Sequence, residues 1–154
     1  MPPAGGRPCS RFLDLVEVMG TLRSPGGCPW DAAQTHASLV KYLLEEAYET
    51  VEAIEDADER ALREELGDVL LQVVFHARIA SERPAAQGGG WNIDDVIGGI
   101  VDKLVRRHPH VFGDTVAATA SDVEANWEAL KAVEKGRTSA VDGVPLGQPA
   151  LALA

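Results

Sequence analysis

Glycine and proline cluster at four places in this chain, residues 2–8, 25–29, 84–90 and 143–149, and the sequence between them repeats almost throughout at helical spacing. These two residues are the strongest breakers of regular structure, so their confinement fixes where the chain turns and leaves long segments unbroken. Apolar positions in those segments recur at i, i+3 and i+4, and the strict alternation of a strand is scarce. Long antiparallel helices with short links predict an all-α fold, a four-to-five-helix bundle. At 154 residues, 45% of them apolar, the chain has the length and apolar content of one domain.

The first helix is predicted from Ser10, a suitable N-cap, to about Arg23, with Phe12, Leu15, Val16, Met19 and Leu22 on one face. A second is predicted from Thr35 to Ile54, with Leu39, Val40, Leu43, Leu44, Ala47, Val51 and Ile54 as its core stripe. The acidic link Glu55-Asp56-Ala57-Asp58 leads to a third helix ending near Ser81, and a loop follows over 84–90. Asn92 is a cap for a fourth helix carrying Val96, Ile97, Ile100, Val101 and Leu104, with a loop at His108-Pro109-His110. Ser121 and Glu124 fit a capping box for a fifth helix reaching about Lys135. The expected organisation is a flexible N-terminus over 1–9, a helical domain over 10–136 and a linker-like tail over 137–154.

Fourteen bases against 24 acids give a net charge of −10, which repels duplex nucleic acid. No stretch approaches a membrane span, and the N-terminus has no apolar core of a secretory signal. Cys9 and Cys28 are too few for a disulfide framework or a four-ligand zinc site. A cytoplasmic location is expected. Residues 69–75, Val-Leu-Leu-Gln-Val-Val-Phe, are apolar nearly all round. A helix of that kind needs cover on every side, which predicts self-association as a homodimer or homotetramer.

Residues 41–68 hold eleven acids and three bases. Such a run is ordinarily a solvated face. At about 100° per residue, however, Glu46 and Glu49 border the apolar stripe of the second helix, whereas Glu45 and Glu52 point away from it. Glu65 and Asp68 repeat the i, i+3 spacing on the third helix, and their direction continues into Gln72, Phe75 and Ile79. A carboxylate at a buried border must protonate, find a cation or bind a metal. Two such pairs on adjacent antiparallel helices make an all-oxygen site suited to Mg²⁺ or Mn²⁺. A di-iron bundle needs Glu-x-x-His on two helices, and His76 is out of phase with Asp68.

Lys103, Arg106 and Arg107 share one helical face and form the densest positive patch, either a phosphate-binding cluster or a surface patch. Trp30 and Trp127, the latter one turn before Lys131, are each either core residues or platforms for a nucleobase. His36, His108 and His110 are open between cap, solvated residue and substrate contact. Cys28 reads as structural, since no His-Asp pair is placed around it by sequence.

Taken together, certain blocks resemble a known family. They are Gly27-Cys28-Pro29-Trp30-Asp31, Gln34-Thr35, Leu44-Glu45-Glu46-Ala47-Tyr48-Glu49, Glu64-Glu65-Leu66-Gly67-Asp68, and Asp102-Lys103-Leu104 with Arg106-Arg107-His108-Pro109-His110-Val111-Phe112. Across roughly residues 10–150 the chain is similar to the MazG nucleoside triphosphate pyrophosphohydrolases. The resemblance implies an all-α, oligomeric enzyme that hydrolyses nucleoside triphosphates, broad or damaged ones included, to the monophosphate and pyrophosphate with Mg²⁺. It implies metal ligands at Glu46, Glu49, Glu65 and Asp68, phosphate contacts at Lys103, Arg106 and Arg107, and nucleotide contacts at Trp127 and Lys131. Trp30 is a further candidate for substrate binding, and Glu45 or Glu49 for the general base. In two-domain members a segment resembling Ser139–Pro145 leads into the second domain. A catalytically weak nucleotide- and metal-binding module that senses or dimerises is the alternative function.

Overall fold

A computed structural model describes residues 8–135. Every regular element among them is helical: α1 (Pro8–Arg23), α2 (Pro29–Ala33), α3 (Val40–Glu55), α4 (Glu59–Ser81), α5 (Ile93–Arg107), α6 (Pro109–Phe112) and α7 (Ala120–Lys135), with one 3₁₀ turn at Ala85–Gln87. The all-α expectation is met. The tail over 137–154 and residues 1–7 lie outside the described residues. No described helix is long and apolar enough to cross a membrane. The chain divides into two compact units, residues 1–97 and 98–154.

In the first unit α3 packs on α4 as an antiparallel hairpin, and α1 packs on α4 and α2. The hairpin turns where the acidic link was expected. Asp58 N–H reaches back to Ala53 O and Ala57 N–H to Ile54 O, a helix C-cap of the Schellman kind, with Ala57 in the left-handed region at φ 53°. Asp58 then caps α4, accepting from the amides of Arg60 and Ala61. Met19, Leu39, Val74 and Phe75 form the buried centre, with Phe12, Leu15, Val16, Leu22, Tyr42, Leu71, Ile79 and Ile93 packed around it.

Arg23 ties the chain around this centre. Its guanidinium makes a two-pronged bond to Glu82 (3.0 and 2.7 Å), donates to the carbonyls of Asp31 and Gln34, and lies 5.6 Å from the Phe75 ring centroid. The end of α1, all of α2 and the end of α4 are thereby held together. Gly27 sits where a Cβ would come within 2.3 Å of Thr21 O, so only glycine lets this loop fold against α1.

Four boundaries differ from expectation. α1 begins at Pro8, so Ser10, expected to cap it, lies inside its first turn. Thr35–Leu39 is a turn rather than the start of a helix, because Thr35 and Ser38 satisfy each other's amides with their hydroxyls. A short helix, α6, occupies Pro109–Phe112 after His108. The capping box of α7 is formed by Thr119 and Asp122, which bond reciprocally, two positions before the predicted Ser121 and Glu124.

The stripe on α3 also differs. Leu39 is buried, but Leu44, Val51 and Ile54 are 54%, 48% and 58% exposed. The more buried face of α3 carries Tyr42, Glu46, Thr50 and Ala53 instead, following the buried Leu39 at its N-cap. Periodicity identifies which face is apolar, not what covers it. Within one chain the apolar stripe is open, and of the acids along its border Glu46 is the one partly buried.

Candidate metal centre

The hairpin brings the carboxylates together. Glu46, Glu49 and Glu65 place one oxygen each within 4.8 Å of one another. Glu46 and Glu65 are partly buried and Glu49 is exposed. Asp68 stands outside that closest set, yet its charge acts on both Glu46 and Glu65.

The electrostatics are those of acids without a counter-ion. The Glu46 carboxyl sits above the ordinary carboxylate range, first because partial burial disfavours its charge, then because Asp68, Glu49, Glu65 and Glu45 all repel it. Glu65 is raised in the same way: desolvation comes first, then the charges of Glu49, Asp68 and Glu64, and a hydrogen bond with the Glu49 carboxyl. No base contributes to either shift. A small cavity beside the cluster is lined by Glu49, Glu52, Ala53, Asp56, Asp58, Ala61 and Glu65. Converging hard oxygen donors, with no base among the described residues acting on Glu46 or Glu65, fit a hard divalent ion such as Mg²⁺ or Mn²⁺.

Glu45, the other candidate base, is exposed, and its charge also acts on Glu46. Trp30 is half exposed on α2 and meets Tyr42 edge to face at 5.7 Å. In the second unit Lys103 is half buried, Arg106 exposed and Arg107 buried. Trp127 donates its indole N–H to Arg107 O at 3.0 Å and meets the His108 ring edge to face. Lys131 pairs with Glu128 at 2.7 Å and lies 5.7 Å from the Trp127 ring centroid. Trp127 therefore fastens α7 to the end of α5, a role the sequence did not disclose.

A family model for the MazG nucleotide pyrophosphohydrolase domain matches residues 34–112, which include α3, α4, α5 and the whole acidic cluster. The chain belongs to the MazG family. It is 60% identical over 158 residues to an uncharacterized 26.1 kDa protein of Streptomyces cacaoi, covering 100% of this chain and 62% of that protein. It is 50% identical over 145 residues to the nucleoside triphosphate pyrophosphohydrolase/pyrophosphatase MazG of Thermotoga maritima, covering 93% and 53%. This MazG chain thus spans between about half and three fifths of the length of those relatives. A crystal structure of a mazG-related protein from Thermotoga maritima superposes with a TM-score of 0.59 at 27% identity, covering 79% of this chain and 97% of that one. MazG membership places the carboxylate cluster inside the matched domain, and Trp127 and Lys131 beyond it.

Proposed function

We propose that this chain is a metal-dependent nucleoside triphosphate pyrophosphohydrolase that releases the nucleoside monophosphate and pyrophosphate. The observation that carries this reading is the convergence of Glu46, Glu49 and Glu65 within 4.8 Å on two helices, with repulsion between them that no base relieves. The names of the relatives support the reaction class.

Glu46, Glu49, Glu65 and Asp68 would hold Mg²⁺ or Mn²⁺. When bound, the ion supplies charge neutralisation for the triphosphate and acidifies a water for attack at the α-phosphorus. Glu45, exposed and one residue from Glu46, takes the water's proton, since Glu49 already belongs to the converging set. Lys103, Arg106 and Arg107 hold the charge of the departing pyrophosphate. Trp30 and Trp127 offer ring surface to a base, and Lys131 offers charge to the nucleotide. The substrate range includes non-canonical and oxidised triphosphates. The open stripe of Leu44, Val51 and Ile54 on α3, with Leu66 (51% exposed) on α4, supports assembly as a homodimer or homotetramer.

The test is a panel of canonical and oxidised triphosphates with Mg²⁺ or Mn²⁺, scored for pyrophosphate. The expected result is metal-dependent release that Glu46→Ala and Asp68→Ala abolish without unfolding the chain. Full activity in both variants refutes the ligand assignment. Tight nucleotide binding with no product over hours identifies a binding module instead.

A further inference from the structure

His36 and His76 take no part in the site described above, yet they form a specific pair. Their Nδ1 atoms are 2.7 Å apart, their ring planes differ by 1°, and their centroids are 5.0 Å apart. With the nitrogens so close and the centroids so far apart, the rings lie edge to edge in one plane rather than face to face. This is an in-plane N–H···N hydrogen bond in which one ring donates and the other accepts. A metal ion does not fit between them: two bonds of about 2.0 Å at a tetrahedral opening hold ligand nitrogens more than about 3 Å apart.

The location gives the pair its meaning. His76 lies on α4 two turns beyond Asp68, swung about 80° round the helix from it. His36 belongs to the turn that feeds α3. That turn is internally braced: Thr35 and Ser38 bond reciprocally, the Ser38 hydroxyl donates to Gln34 Oε1, and Leu39 N–H reaches Thr35 O. Leu43 N–H bonds Leu39 O, so the brace runs directly into α3, and Leu39 is anchored in the core. A force on His36 is therefore transmitted to the helix bearing Glu46 and Glu49. The hairpin is closed at one end by the Asp56–Asp58 turn and bridged at the other by the histidines, with the four acids between.

We propose that His36 and His76 are positioning residues for the metal centre. Their bond pins the open end of the α3–α4 hairpin, holding Glu46 and Glu49 in register with Glu65 and Asp68 against the repulsion of the four carboxylates. The inference rests on the reading that these acids bind a divalent cation.

The pair is a poor candidate for a plain stabiliser. His76 Nε2 is buried with no protein partner, and an unpaired buried nitrogen costs stability. Burial, then the neighbouring His36, lower the basicity of His76. An apolar side chain there avoids these costs but lacks the directional bond that joins the turn before α3 to α4.

The test is a Mn²⁺ titration of the whole chain by electron paramagnetic resonance, beside thermal unfolding of the metal-free protein. Wild type binds Mn²⁺. His76→Leu binds about tenfold more weakly, the lower end of the effect expected for groups that orient metal ligands, while its unfolding temperature stays level or rises. His76→Asn, whose amide stands about where Nδ1 was, restores binding close to that of wild type. His36→Leu, at an exposed position, repeats the His76→Leu loss and serves if His76→Leu does not fold. A scalar coupling between the two Nδ1 nuclei in ¹⁵N-labelled protein reports the bond directly. Wild-type affinity in both leucine variants, or absence of that coupling, overturns the pin alone. Failure of the wild type to bind Mn²⁺ overturns the metal centre itself.

Discussion

Glu49 and Glu65, carried by opposite arms of one helical hairpin, each place a carboxyl oxygen within 4.8 Å of the other. Glu46 and Glu65 are both shifted upward, which sets the sign of the pH response. A raised carboxylate favours folding most below its unfolded value of 4.5, and the contribution is lost as pH rises through the folded value above that. Chelated protein is therefore expected to gain thermal stability on acidification from neutrality toward pH ~5. Saturating Mn²⁺ at neutral pH is expected to stabilise it too, by about 2.7 kcal/mol at a hundred times the dissociation constant. Scanning calorimetry with and without chelator checks both.

Glu65→Gln separates folding from function. It removes one repelling charge, so the metal-free protein is expected to unfold at an equal or higher temperature. Triphosphate hydrolysis is expected to fall by about 10²-fold or more. Parallel melting curves and pyrophosphate assays read the two effects.

Glu82 responds to pH with the opposite sign. The hydrogen bond from Arg23 holds its carboxyl below the ordinary range, with the charges of Arg23 and Arg78 adding to it. Its contribution is present above the unfolded value of 4.5 and lost as pH falls through the lower folded value. Glu82→Gln is expected to cost about 1.5 kcal/mol at neutral pH, and the deficit should vanish in acid. Urea unfolding at pH 7 and in acid measures the difference.

Ala57 occupies a left-handed position that glycine fills without strain. Ala57→Gly is expected to stabilise the hairpin turn by about 0.5–1 kcal/mol, read from the shift of the urea midpoint.

Much of this molecule was legible beforehand. The i, i+3 pairs Glu46/Glu49 and Glu65/Asp68 could be placed because their phase against the apolar residues is set by helix geometry alone, and three of the four do converge. The limits of α4 were legible because Asp58 and Ser81 bound one long periodic run. Other features left no such signal. The five residues of α2 and four of α6 are shorter than any period can register. The Thr119/Asp122 cap competes with a second pattern of the same kind two positions on. Val51 and Ile54 read as core because periodicity marks an apolar face without saying which molecule covers it. His36 and His76, forty positions apart in sequence, meet only through the tertiary fold.

Crystals of this chain grown with Mn²⁺, measured for anomalous scattering, test the carboxylate cluster most directly. A peak between α3 and α4, within coordination distance of Glu46, Glu49, Glu65 and Asp68 oxygens, is the predicted result. Saturating Mn²⁺ with no peak there, and the four side chains turned to solvent, would contradict it.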